Sequence, residues 1–120
     1  MPVIPSPYPL TNSIGTEALT NNFTAGQAGS IFFPTAAYQL TGFTVSIGKA
    51  SGATTAFQVT VEDISPGGNI EYTMDQSTTQ MTVLDIRFVP PLTPSGAVMG
   101  VAVPAVANGG AGSVTIYGVT

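Results

Sequence analysis

This 120-residue chain is predicted to be all-β: a single jelly-roll-like antiparallel β-sandwich of seven to eight strands with an extended proline-rich N-terminal arm. Three observations support this. Apolar residues recur at period two from residue 28 onward, the mark of half-buried strands. Clusters of Gly, Pro, Ser and Asn separate these runs at short intervals. No segment repeats at the helical period, and short strands so punctuated form sandwiches or jelly rolls.

Residues 1–27 read as the arm. Pro2, Pro5, Pro7 and Pro9 fix φ and remove backbone donors, which favours an extended, polyproline-like chain. Residues 11–27 are polar, with Asn12, Asn21, Asn22, Gly15 and Gly26, and hold too few apolar side chains to build a core. Residues 28–120 read as the sandwich. Ser30–Phe33 is a short strand stopped by Pro34. Leu40–Gly48 alternates Phe43, Val45 and Ile47 with Thr44 and Ser46, and Lys49–Gly52 is a turn. Thr54–Asp63 alternates Phe57, Val59 and Val61 with Gln58, Thr60 and Glu62, and Ser65–Gly68 is a turn. Ile70–Asp75 and Thr82–Val89 follow, the latter ended by Pro90 and Pro91. Ala97–Val103 is apolar on both faces, as for a strand central in the sandwich or facing a subunit interface. Asn108–Gly112 reads as a hairpin turn before the last strand, Ser113–Thr120.

The 64–69 hairpin also carries an expected register. Pairing Ile64 with Asn69 sets Val61 opposite Tyr72 and Val59 opposite Met74, so the apolar stripes share a face. It also sets Glu62 opposite Glu71, a destabilising like-charge pair.

Composition narrows function. There is no His, Cys or Trp, and Lys49 and Arg87 are the only cations against six carboxylates. Ser–His–Asp and Cys–His catalysis are therefore excluded, and no disulfide framework exists. Two cations cannot displace the counterions of a nucleic acid, so neither nucleic acid nor an anionic membrane is an expected partner. Charged residues make up 7% of the chain, against about 25% in ordinary soluble proteins. A surface so poor in charge is expected to be covered, in a homo-oligomer or on a larger assembly. Met1-Pro2 opens no secretory signal, and the apolar run Ala97–Ala107 is too short to span a bilayer, so cytoplasmic synthesis is expected.

The candidate sites are few. Glu62, Glu71 and Asp63 could share a Ca²⁺ through hard oxygen ligands, or the two glutamates could act as a glycosidase pair. Their spacing matches no calcium loop, and no Trp offers a sugar platform, so solvated charges are the expectation, with no cofactor and no enzyme activity. Lys49 beside Ser51 is expected to be a solvated turn lysine. Asp85 and Arg87 lie two apart on one strand face, and Arg87 is a candidate interface anchor. Pro2, Pro5, Pro7, Tyr8 and Pro9 complete the expected interface. Tyr8, Tyr38 and Tyr117 are the aromatic candidates for sugar contact, with packing the simpler role for the last two.

The series Phe43-Thr-Val-Ser-Ile-Gly, Phe57-Gln-Val-Thr-Val-Glu-Asp, Arg87-Phe-Val-Pro-Pro-Leu, the apolar strand, and Gly109-Gly-Ala-Gly-Ser-Val-Thr-Ile-Tyr-Gly resembles small β-sandwich virion proteins of tailed bacteriophages, especially capsid decoration or cement proteins. The resemblance spans roughly residues 40–120 and is one of pattern. It implies a non-enzymatic virion protein at the capsid surface that bridges neighbouring subunits of the major capsid protein, commonly as a homotrimer. The alternative expectation is a carbohydrate- or receptor-binding module of a viral fibre or tail, since fold alone does not settle function.

Overall fold

A computed structural model of the protein describes residues 16–65 and 68–120. Among the described residues eight strands form two four-stranded antiparallel sheets. They are β1 (Thr16–Phe23), β2 (Gly29–Phe32), β3 (Gln39–Ile47), β4 (Ala56–Ile64), β5 (Gly68–Asp75), β6 (Thr82–Leu92), β7 (Gly100–Val103) and β8 (Gly112–Val119). Sheet A has the order β1-β8-β3-β6 and sheet B the order β2-β7-β4-β5. The pairs β1:β8, β2:β7, β3:β6 and β4:β5 are those of one long antiparallel ribbon rolled upon itself, which is the jelly roll.

The core lies between the sheets and is supplied by the alternation in the sequence. Phe43, Val45 and Ile47 of β3, Val59 and Val61 of β4, Val101 and Val103 of β7, and Val114 and Ile116 of β8 are all at most 2% exposed. Each such side chain contributes about 1.5–3 kcal/mol relative to exposure. β7 lies between β2 and β4, so its apolar character follows from a central position. It turns only Gly100 and Ala102 outward, between Phe32 and Ser30 of β2 and Glu62 and Thr60 of β4.

Several expectations need correction. Residues 16–23, assigned by sequence to the arm, form β1, paired along its whole length with β8. The inner face of β1 carries polar Glu17 and Asn21 beside Leu19 and Phe23, which hid its alternation. Both polar groups are bonded: Tyr38 donates its hydroxyl to Glu17, and Asn21 Nδ2 donates to the Ser30 carbonyl at 2.9 Å. The remainder of the proposed arm before Thr16, including Pro2, Pro5, Pro7, Tyr8 and Pro9, lies outside the described residues.

The β4–β5 register also differs. Asp63 adopts φ of 63° and forms a bulge between the pairs Glu62↔Asn69 and Ile64↔Gly68. Val59 therefore faces Tyr72, Val61 faces Ile70, and Glu71 faces Thr60. The shift moves the pairing by two residues, so the apolar face survives while the expected Glu62–Glu71 opposition disappears. β6 does not stop at Pro90 but runs to Leu92. Four residues of β6 (88–91) stand against Thr41 alone in β3, and prolines are tolerated on such an irregular edge strand. Asn108–Gly112 is no hairpin turn: it leads from β7 in sheet B to β8 in sheet A.

Four loops gather at one end of the sandwich. Gln76, the buried polar residue among those described, accepts from Thr55 N at 2.9 Å and donates to the Ala107 carbonyl at 3.4 Å. Asn108 Nδ2 donates to the Ala53 carbonyl, while Gly26 N donates to the Gly109 carbonyl.

Candidate docking surface

The outer faces of the two sheets differ in chemistry. On sheet B, Glu62 of β4 and Glu71 and Asp75 of β5, with Asp63 at the bulge, collect four of the six carboxylates. Among the described residues no group of three or more His, Cys, Asp or Glu side chains could hold a metal ion, so Glu62, Asp63 and Glu71 do not assemble into the calcium set considered from sequence. Lys49 is exposed in the β3–β4 loop, and its neighbour Ser51 directs Oγ at the Asn108 carbonyl (3.5 Å).

Sheet A is different. Its register aligns outward residues in rows across all four strands. One row is Asn22, Ser113, Ser46 and Val83; the next is Thr20, Thr115, Thr44 and Asp85; the third is Ala18, Tyr117, Gly42 and Arg87. Hydroxyls bond along the rows: Thr20 Oγ1 to Thr115 Oγ1 at 2.7 Å, Ser46 Oγ to Ser113 Oγ at 3.0 Å, and Thr44 Oγ1 to Asp85 Oδ1 at 3.0 Å.

Arg87 ends the third row at the sheet edge. Its guanidinium lies 4.8 Å from the Tyr117 ring centroid and pairs with Asp85 Oδ1 at 2.9 Å. To reach Tyr117 it crosses β3 at Gly42. A Cβ there would lie 2.6 Å from the Ile86 carbonyl oxygen and 2.8 Å from Arg87 Nη1, so only glycine lets the side chain lie flat. The exposed ion pair contributes at most about 1 kcal/mol, and the cation–π contact about 0.5–1 kcal/mol. Both consume the charge of the one cation on this face. Around them the face is hydroxyl-rich, and exposed apolar side chains flank the pair along β6: Val83 is 53% exposed, Val89 94%, and Met81 just before the strand 59%.

The sequence had singled out Arg87 and its neighbour Asp85. It did not single out Gly42, although a glycine inside an alternating strand is itself the signal of a close approach. Of the aromatic candidates, Tyr117 lies beneath Arg87. Tyr38 stacks on Phe33 with centroids 4.9 Å apart and donates to Glu17. That hydrogen bond, with lesser help from desolvation and the Glu17 charge, raises the Tyr38 hydroxyl above the ordinary phenol value. Burial alone raises that of Tyr72. One concavity, an open groove of about 310 Å³, runs between the β1 and β2 edges and is lined by Asn21, Ala28, Gly29, Ser30, Ala102 and Val103, none of them titratable.

No protein-family model matches the sequence, and no curated protein matches it. Among solved structures, the fold is similar to the family 11 carbohydrate-binding module of Clostridium thermocellum, solved with a β-1,3-1,4-mixed-linked tetrasaccharide. The TM-score is 0.43 at 11% identity, covering 88% of this chain and 83% of that one. It is also similar to a chain of the Bacillus endospore appendages, described as a novel family of disulfide-linked pili. There the TM-score is 0.40 at 13% identity, covering 87% and 86%.

Proposed function

We propose that this protein is a non-enzymatic structural subunit that docks on a protein lattice, in the manner of a tailed-phage capsid decoration protein bridging major capsid subunits. The observation that carries the reading is the outer face of sheet A. It is rich in hydroxyls, its ion pair is internal to β6, and exposed Val83 and Val89 flank that pair. Such a face loses little desolvation energy against another protein, since uncharged hydroxyls and exposed valines are cheaper to cover than ions. Bound to an assembled shell and not to free subunits, the protein stabilises the shell by mass action.

The test is co-production with a candidate tailed-phage major capsid protein. Co-sedimentation at a fixed ratio, with a rise in the temperature at which shells break, is the expected outcome. Shells that sediment without the protein and melt unchanged would sink the reading.

A second reading, carbohydrate binding, draws on the hydroxyl rows of the same face. Its stacking ring would be Tyr117, and Arg87 covers that ring. Under this reading Arg87→Ala uncovers the ring and strengthens glycan binding on an array, whereas the docking reading expects no glycan signal from either form.

A further inference from the structure

Among the described residues each sheet ends in two edge strands, and three of the four are protected against pairing with another chain. β2 is only four residues long. β1 is tied towards β2 by the bond from Asn21 to Ser30. β5 turns Asn69, Glu71, Thr73 and Asp75 outward, so its acids repel a second β5. β6 is the exception. It is eleven residues long, is last in the order of sheet A, and carries exposed valines at 83 and 89. Its inward side chains Leu84, Ile86 and Phe88 are only half-buried.

Residues 83–89 read Val-Leu-Asp-Ile-Arg-Phe-Val, which is self-complementary about Ile86. We propose that β6 is a homodimer interface, in which two copies pair their β6 edges antiparallel about a two-fold axis at Ile86. In that register Asp85 of each copy faces Arg87 of the other, Val83 faces Val89, and Leu84 faces Phe88. The charge complementarity fixes the register. The neighbouring face-preserving registers, shifted by two residues, oppose Asp85 to Asp85 or Arg87 to Arg87, and like charges directly opposite are destabilising. A one-residue slip puts each apolar set on the wrong face. Pro90 and Pro91, which have no N–H, end the pairing just past Val89.

The contact is isologous and closes at two copies. It removes both open edges and joins the two A sheets into one eight-stranded sheet with a continuous outer face. Arg87 turns from Tyr117 towards the edge to meet the facing Asp85. This departs from the threefold arrangement that the phage resemblance implies, and it stands independently of whether a capsid is the final partner.

Sedimentation equilibrium from micromolar to millimolar concentration tests it. The expected species has twice the chain mass of 12.2 kDa. A monomer throughout, or a trimer, overturns the proposal. Asp85→Arg and Arg87→Asp should each weaken self-association about tenfold, from two like-charge oppositions per dimer. Mixed in equal amounts, the two variants should recover native affinity as a heterodimer. Unchanged association of the single variants, or no recovery on mixing, overturns it.

Should either charge variant fold poorly, cysteines supply a separate readout, because the chain has none of its own. Val83→Cys and Val89→Cys chains should cross-link when mixed under oxidation and far less when each is alone. No cross-link in the mixture, or equal cross-linking of each variant alone, is incompatible with the register.

Discussion

Gly42 shows how one missing side chain organises a surface. Its Cα is the floor over which Arg87 passes to Tyr117, and the space above it is already occupied by Arg87 and the Ile86 carbonyl. Gly42→Ala therefore costs about 1–3 kcal/mol by overpacking and displaces the guanidinium from the ring. Urea denaturation checks the first effect; the near-ultraviolet circular dichroism of the tyrosines, read against Arg87→Ala, checks the second. Tyr38 and Tyr72 make a different residue-level point. Both hydroxyls are raised above their unfolded value, so the folded state holds protons that the unfolded state has already released. The stability they supply is complete below about pH 10, the ordinary phenol value, and is lost as pH rises through the raised values. Urea midpoints should fall as pH rises above about 10, and Tyr38→Phe should flatten part of that fall. A midpoint flat across that range in the native protein contradicts the assignment.

At the scale of the strand, what could be read from sequence depended on the chemistry of the inner face. β3, β4 and β8 announce themselves because each inward position is apolar. β1 does not, since Glu17 and Asn21 occupy inward positions and are satisfied by Tyr38 and Ser30, partners from later in the chain that local pattern cannot reveal. The β4–β5 register differs by two residues for a separate, local reason: Asp63 adopts a left-handed conformation that costs most residues energy but is tolerated by Asp and Asn. Of the candidate surface, Asp85 and Arg87 were visible as a pair on one strand face. The role of Tyr117 was not, because β8 meets β3 only through a crossover between sheets.

The place of β1 sets the result of truncation. Removing residues 1–22 takes away nearly all of β1 and leaves β8 with a bare edge beside Val114, Ile116 and Gly118. That chain should lose its cooperative transition in urea. An unchanged midpoint would mean that β1 adds nothing to the sandwich.

For the molecule as a whole, the ribbon of pairs nested from β4:β5 out to β1:β8 has a consequence in time. The β4:β5 pairing closes between near neighbours, Ile64 and Gly68, whereas β1:β8 brings Thr16 to Val119, almost the full length of the chain. Loop closure over that span must be met before its contacts form, and non-local β topologies fold in milliseconds to seconds for this reason. The hairpin should be the earliest structure to gain amide protection and β1 the latest, an order that pulsed hydrogen exchange during refolding can read strand by strand. On the ribosome, β1 emerges first and waits longest. Until β8 has been made, Leu19 and Phe23 have no sheet to join, and a chain stalled before residue 112 should be held in an open, protease-sensitive form.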